Sequence, residues 1–512
     1  MKSKRRRTCA PRKPFESLTS DAYPLGNHVD HTYSATYRTR ECQHMAQDSL
    51  ISSLEDNDAF ARHQASNMRP EIVADLEKQI DAAGVEFIYY MLPTIGSKVV
   101  AKMVPAKHIR RNLEKGIALH RTAVADLQSN REGELIGGGV GAREMIALPD
   151  PETFVVLPWD TSVARMFCRA YEPPHFPEVG GRPLQTDSRG LLMRAHAEFT
   201  ARTGYEVRSG TEPEMTWSGP GLEVIKKDGA SPAYQVENLE RSREIFKRVV
   251  RYATAFGLNM VEGDYEDDGQ LELNWMFDRV ELTADRLVTY RQLCKQVARE
   301  LGITASFMPK PFNGLMGNGC HHNLSLWKDG ENACVEPDNK NIHLSEVGRW
   351  AVGGMLTHAG ASTAIMASTV NSYKRFWDAG QFAPSSPTWG LDSRAGMIRI
   401  SSIGRMEYRQ PDASVNPYLS HTALLAAMAD GLEKKIDSGD PLTQDNARVA
   451  SFDVTPMTLG DAISVFEQSE LLRQALPEQM RDVFIQLKRD EWARYCGVIT
   501  EWEFAQYWET VP

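Results

Sequence analysis

Three short acidic stretches in this 512-residue chain read as strands, and together with one histidine they carry the residue types that bind a divalent cation. Glu212 and Glu214 stand two apart in Gly210-Thr211-Glu212-Pro213-Glu214-Met215-Thr216-Trp217, a spacing that puts both side chains on one strand face. Side by side, two anions repel unless a cation joins them. Glu262, Asp264, Glu266, Asp267 and Asp268 lead into the alternating Gln270-Leu271-Glu272-Leu273-Asn274-Trp275. Glu407 sits in Arg405-Met406-Glu407-Tyr408-Arg409, and His321 follows the glycine-rich Gly317-Asn318-Gly319-Cys320. Hard carboxylate oxygens with one imidazole suit Mg2+ or Mn2+. Taken singly, a glutamate pair is more often a solvated strand face and a histidine more often structural, so the weight rests on the combination.

A basic series accompanies the acids: Lys374, Arg375, Arg394, Arg399, Arg405 and Arg409. Two readings are open from pattern alone. One is a surface ion-pair network; the other is recognition of phosphate and carboxylate by the planar guanidinium fork. Carboxylates for metal and arginines for phosphate together point to phosphoryl transfer, with the acceptor left open.

These residues need strands to present them and helices to back the strands. Residues 1–68 lack sustained periodicity and read as an irregular extension. A helical pattern starts at Arg69-Pro70-Glu71, followed by strand-like runs near 85–90, 97–104 and 153–159 and a glycine-rich loop over 133–141, so 69–175 reads as a small β domain. The proline-rich segment 173–177 reads as a linker. Residues 176–512, with helices expected over 188–203 and 238–256 between short strands, read as a large domain, giving an α+β chain without internal repeats.

Composition sets outer bounds. Hydrophobic residues at 42% and charged residues at 25% suit a globular protein, and no apolar run is long enough to span a bilayer, so no membrane is expected. A net charge of −10 argues against a nucleic-acid partner. Lys2, Lys4, Arg5, Arg6 and Arg7 form a basic cluster without the apolar run of a signal peptide and read as a solvated tail. Seven scattered cysteines, odd in number and without C-x-x-C spacing, suggest reduced thiols and a cytoplasmic location.

Several motifs in fixed order carry a resemblance: Phe307-Met308-Pro309-Lys310-Pro311, Gly317-Asn318-Gly319-Cys320-His321, Asn371-Ser372-Tyr373-Lys374-Arg375, Glu407-Tyr408-Arg409 and Asn416-Pro417-Tyr418. Leu487-Lys488-Arg489-Asp490-Glu491-Trp492 and Thr500-Glu501-Trp502-Glu503 extend it to the end. From about residue 70 onward the chain resembles the type I glutamine synthetase superfamily. The resemblance implies a β-grasp-like N-terminal domain, a catalytic domain with a curved antiparallel sheet, and a homo-oligomer of two stacked hexameric rings. It implies ATP, Mg2+ or Mn2+, glutamate and an amine as ligands, with γ-glutamyl phosphate as the activated intermediate. By motif, Glu214, Glu266 and Glu272 would hold one metal, and Glu212, His321 and Glu407 a second. Arg375 and Arg409, with Gly317, would bind glutamate. Arg394, Arg399 and Arg405 would neutralise phosphate, and Asn323 and Ser325 would contact the nucleotide, so that Arg375, Arg394 and Arg409 form the catalytic basic set.

The chain departs from that pattern where ammonium is recruited. The family places one carboxylate before an Ala-Pro pair in the flap; here Phe382 precedes Ala383-Pro384. A second carboxylate, in the N-terminal domain, aligns with Met91-Leu92-Pro93-Thr94-Ile95-Gly96, which holds no acid, so that Pro93 or Thr94 takes its place. Aromatic surface from Phe382, Phe376, Trp377 and Trp389 would favour an apolar or aromatic amine, by burial at about 25 cal/mol per Å2 and by stacking. The resemblance therefore narrows to γ-glutamyl amine ligases of the γ-glutamylanilide synthase kind, with an amine pocket of Phe382, Trp377 and Pro93. Glutamine synthesis from ammonium, or ligation of a small alkylamine, is the alternative. Asn323 stands where a second histidine is usual, and the acidic loop is one residue short, which makes Asp264 the alternative ligand to Glu266. A non-catalytic relative would have lost metal carboxylates or arginines, and this chain keeps both.

Overall fold

The alternation seen in the sequence resolves into two sheets, each with one apolar face. The computed structural model describes residues 53–222, 232–336, 343–377, 383–443 and 454–510. The first sheet comprises β1 (Phe87–Pro93), β2 (Val99–Pro105), β3 (Ile117–His120), β4 (Glu144–Pro149), β5 (Val155–Leu157) and β6 (Asp160–Tyr171). Its order is β2-β1-β6-β4-β3, with β5 beside β6, and β1 and β6 run parallel. The helix Pro70–Ala83 covers it. Pro70 opens this helix, Gly84 ends it in the left-handed region at φ 69°, and Val73, Leu76 and Ile80 bury one stripe.

Two local expectations change. The chain before residue 69 is not wholly irregular: Ala59–Asn67 is a helix, and Phe60, His63 and Asn67 recur at a helical interval on its buried face. Two of those three are polar, so hydrophobic periodicity missed them. The strand expected over 153–159 is shortened to Val155–Leu157, because Pro151–Thr153 forms a 3-10 turn. The Thr153 hydroxyl pins that turn, donating to the Asp150 carbonyl at 2.7 Å and accepting from the Phe167 N–H at 2.9 Å.

The second sheet holds β7 (Glu206–Ser218), β8 (Met260–Asp267), β9 (Gln270–Trp275), β10 (Asp278–Arg279), β11 (Thr304–Ser306), β12 (Cys320–Lys328), β13 (Glu331–Asn332), β14 (Trp389–Leu391), β15 (Ile398–Ser402) and β16 (Arg405–Tyr408). The main path is β14-β15-β16-β12-β7-β9-β8, antiparallel except between β14 and β15. The expected helices form at Ser188–Thr203 and Val236–Ala255. The chain is thus α+β, a small sheet domain followed by a large domain on a curved, mainly antiparallel sheet.

Under β7 and β9, Met215, Trp217, Leu271, Leu273 and Trp275 pack with Tyr290 and Leu293 of the helix Val280–Leu301. Alternation then forces Glu212, Glu214 and Glu272 to the opposite face. A second apolar cluster runs without a break from Ile88 and Phe167 of the first sheet to Leu191, Leu324 and Tyr408. The 173–177 segment is fastened by the turn that follows it, since the Gly181 N–H donates to the Glu172 carbonyl at 3.1 Å and the Gly181 carbonyl accepts from Phe60 at 3.0 Å.

A buried ionic network ties these layers. Asp150 lies 2.9 Å from His63 Nε2 and 2.6 Å from Arg169 Nη2, and also pairs with Arg189. Arg189 reaches on to Asp285 at 2.9 Å, and the Tyr418 hydroxyl donates to the same carboxylate at 2.7 Å. Burial alone would raise the Asp150 pKa, but the charges of Arg189, His63 and Arg169 overcome it and hold the carboxyl well below the usual range. No helix among the described residues is long and apolar enough to cross a membrane.

Candidate active site

Strand register assembles the acids. On β7, Glu212 lies opposite His321 of β12, and Glu214 lies opposite Glu272 of β9. Pro213 falls between them, where β7 exchanges its long pairing with β12 for pairing with β9 and a donor is dispensable. On the other side of β12, Asn323 faces Glu407 of β16, which in turn faces Arg399 of β15.

One ligand atom each from Glu212, His321 and Glu407 lies within 4.8 Å of the others. His321 Nδ1 is 3.3 Å from Glu212 Oε2 and 3.5 Å from Glu407 Oε1. Burial and the nearby Arg409 charge push the imidazole pKa well below its ordinary value, so the ring is neutral, the form that ligates metal. The Asn323 amide donates to Glu212 Oε1 at 2.8 Å, orienting that carboxylate where a second histidine was expected.

Around Glu272 the second acidic group gathers. Burial pushes the Glu214 carboxyl up to about 7. Glu272 is pushed well above the usual range by burial and by the charges of Glu212 and Glu214. Asp264 lies directly opposite Glu272 and is raised to about 6 by burial, with Glu266 and Glu262 adding to it. Its Oδ1 is buried and makes no hydrogen bond. Glu266 is the extra residue of a bulge between Tyr265 and Asp267, and its carboxylate accepts a hydrogen bond from Tyr234. Oxygen donors this crowded and this short of positive charge fit a hard divalent cation, and Asp264 fits that role at least as well as Glu266.

The arginines converge on the same face. Arg409 and Arg399 both pair with Glu407, Arg399 also with Asp392, while Arg405 binds the Ser401 hydroxyl. Arg394 bonds Tyr234 and senses Glu266. Arg375 is buried, donates to the Gln410 carbonyl at 3.3 Å, and is lowered in pKa by burial. Lys374 instead turns to the Tyr495 ring at 5.9 Å. The turn beside Arg375 requires glycine: a Cβ on Gly317 would lie 2.5 Å from Arg375 Cγ, and one on Gly319 would lie 2.9 Å from His321 Nε2 and 3.2 Å from Glu214 Oε1.

A cleft of about 370 Å3 opens at the edge of this cluster, lined by Glu212, Asn323, Ser325, Trp327, Phe277 and Arg405. The Phe277 and Trp327 rings lie 5.8 Å apart, and Arg208 stands 4.0 Å over Trp327. Three of the four residues expected at the nucleotide meet here; Arg399 is turned toward Asp392 and Glu407 instead.

The expected amine pocket is not assembled in the same way. Phe382 lies outside the described residues, as does the basic tail. Phe376 and Trp389 are core residues: Phe376 is buried against Tyr373, and the Trp389 indole donates to the Ser438 carbonyl at 2.9 Å. Trp377 is 67% exposed and donates to the Met457 carbonyl. Pro93 is buried opposite Val99 at the end of β1, and the Asn416 amide holds the adjacent Thr94 carbonyl at 2.9 Å.

Sequence reasoning missed the residues that brace these side chains. The Gln270 amide donates to Glu214 Oε2 at 3.0 Å, the Gly317 carbonyl at 3.0 Å and Asn318 Oδ1 at 2.9 Å. Asn274 donates to Glu272 Oε1 at 2.6 Å, and Asp267 accepts the Met316 N–H at 2.6 Å. Gln270 and Asn274 share the face of Glu272 by alternation, which was the available signal.

An oxygen-rich cluster, convergent arginines and an adjoining aromatic cleft are the parts of a phosphoryl-transfer enzyme, and the relatives of the chain make that class an ATP-dependent ligase. Residues 185–507 match the family described as "Glutamine synthetase, catalytic domain". The chain is 33% identical over 374 residues to the glutamine synthetase of Rhizobium meliloti (strain 1021), covering 70% of this chain and 84% of that one. Against that of Pyrococcus abyssi (strain GE5 / Orsay) it is 31% identical over 448 residues, 82% of this chain and 96% of the relative. The solved structure titled "Apo GmaS without ligand" superposes with a TM-score of 0.76 at 31% identity, covering 85% of this chain and all of that one. The chain belongs to the glutamine synthetase family, whose members use ATP and divalent metals in γ-glutamyl ligation.

Proposed function

We propose that this ligase joins the γ-carboxylate of glutamate to an apolar or aromatic amine through γ-glutamyl phosphate. A carboxylate is a poor electrophile; phosphorylation of its γ-oxygen supplies a leaving group for an attacking amine. In this reading Arg375, fixed against Gly317, receives the α-carboxylate of glutamate, and Arg409 spans glutamate and the transferred phosphoryl. Arg394, Arg399 and Arg405 offset phosphate charge, stabilising anionic states as they form. Asn323 and Ser325 line the nucleotide cleft. Glu212, His321 and Glu407 would hold one cation, and Glu214 and Glu272, with Asp264 or Glu266, a second, Mg2+ or Mn2+ by oxygen preference. When bound, such cations polarise phosphoryl oxygens. A division into an extension 1–68, a small domain 69–175 and a catalytic domain 176–512, and a cytoplasmic assembly of two hexameric rings, are proposed on family resemblance.

One observation carries the choice of amine: neither position aligned with an ammonium-binding carboxylate is acidic, Phe382 standing at one and Pro93-Thr94 at the other. In this reading Trp377, which is exposed, meets the amine together with Phe382. The core roles of Phe376 and Trp389 favour a second reading, glutamine synthesis from ammonium or ligation of a small alkylamine. Phosphate release from ATP with glutamate and ammonium, isopropylamine, ethanolamine, putrescine or aniline decides. Aniline should give the highest kcat/KM; a maximum with isopropylamine selects the small-alkylamine reading, and a maximum with ammonium overturns the proposal. Phe382→Glu should shift preference toward ammonium, and unchanged selectivity removes Phe382 from the pocket.

A further inference from the structure

A cavity of about 590 Å3, sharing no lining residue with the acidic strands, lies between the helix Ala59–Asn67, strand β6 and the helix Ser188–Thr203. Its wall carries four arginines, and three are committed. Arg62 pairs with Asp56, Arg169 with Asp150, and Arg69 with the Ser66 carbonyl and Glu71. Arg194 is different: its Nε and Nη2 are buried and make no hydrogen bond. The nearest acid, Asp187, attracts it through space but already accepts the N–H groups of Ala170 at 2.9 Å and Gly190 at 3.0 Å.

Two guanidinium nitrogens withdrawn from water without partners are costly, and native interiors normally satisfy such donors. The fold nevertheless makes room for this one. A Cβ at position 190 would sit 2.4 Å from Asp187 Oδ2 and 3.2 Å from Arg194 Nη1, so Gly190 keeps open the space that the helix-capping carboxylate and the guanidinium share. Apolar Ile72, Met193 and Ala197 complete the wall, which suits a ligand with a charged end and a carbon body.

We propose that this cavity is a second binding site, for a small organic anion whose carboxylate or phosphate seats on Arg194. A planar guanidinium fork matches either group, and a bound anion supplies the acceptors the fold withholds. None of the cavity's residues belongs to the metal cluster or the nucleotide cleft, so occupancy would act on the helix Ala59–Asn67 and the Asp150 network rather than on the reacting groups.

The test is isothermal titration of the full-length protein, with its nucleotide cleft filled by ADP, using citrate and inorganic phosphate as probes. At least one should bind with a dissociation constant of about 1 mM or tighter. Arg194→Gln should weaken that binding about tenfold or more, as loss of a charged hydrogen bond requires. Ala197→Trp, which places a bulky ring at the rim of the cavity and leaves Arg194 in place, should do the same and decides the matter if Arg194→Gln fails to fold. Neither variant should change ligase kcat in the absence of the probe. Binding of citrate alone marks a carboxylate site, and of phosphate alone a phosphate site. The proposal fails if the wild type binds neither probe, or if a folded variant binds as tightly as the wild type.

Discussion

Two buried groups of acids in this molecule have opposite fates. At the junction of the two sheets, Asp150 and Asp285 lie among Arg169, Arg189 and His63, and Asp150 is held strongly acidic. On the open face of the large sheet, Glu214, Glu272 and Asp264 crowd one another, and burial raises all three. The side chains are chemically alike; the counter-charge differs. The first group is completed by the chain itself and holds the fold together. The second group is not paired off in this way, its members are spaced by strand register, and in the proposed function a cation would supply the compensation.

The largest expected effect breaks the first group. Arg189→Met strips both Asp150 and Asp285 of a buried partner and should cost about 3–5 kcal/mol in denaturant unfolding, the usual penalty for a buried charge left alone. A cost under about 1 kcal/mol would show that the network is not structural. Next, Glu272→Gln removes one of the crowded acids of the second group, the one raised by burial and by the charges of Glu212 and Glu214. Glutamate-dependent phosphate release should fall about 10^2- to 10^3-fold with the thermal midpoint retained. Matching losses of stability and activity would erase the distinction between the groups.

A smaller effect separates them by pH. A carboxyl raised in the folded state contributes stability below its unfolded pKa and loses it as pH climbs through the folded value. For Glu214 that window runs from the ordinary value near 4.5 to about 7. Metal-free protein should therefore lose about 2 kcal/mol between those limits, which Mg2+ or Mn2+ should restore and Glu272→Gln should lessen. Asp150, being depressed, works in reverse: its contribution is present above the ordinary carboxylate pKa and disappears as pH falls below it. Urea midpoints on both sides of the optimum test both slopes, and a metal-free profile flat to pH 8 would refute the first.

Much of the large sheet was legible because alternation and burial agree there. Glu212 and Glu214 share a face since Met215 and Trp217 must take the other, and the helix over 188–203 appears as Ser188–Thr203. What escaped depended on information a single strand lacks. Gln270 matters because β9 pairs with β7 at one register, and Asn323 because β12 places it between Glu212 and Glu407. Phe376 and Trp389 look like pocket aromatics until burial shows them to be core. Polar faces hid the helix Ala59–Asn67, whose buried His63 faces Asp150 rather than an apolar layer.

The bulge in β8 has a consequence for how such a site can diversify. Asp264 meets Glu272 in register, while Glu266, two residues farther on, is the extra residue of the bulge. Substitution at either position would change one carboxylate and leave the pairing of β7, β9 and β12 undisturbed. Side-chain length at one ligand position, and with it the size of ion best accommodated, thus becomes a heritable adjustment decoupled from the rest of the scaffold.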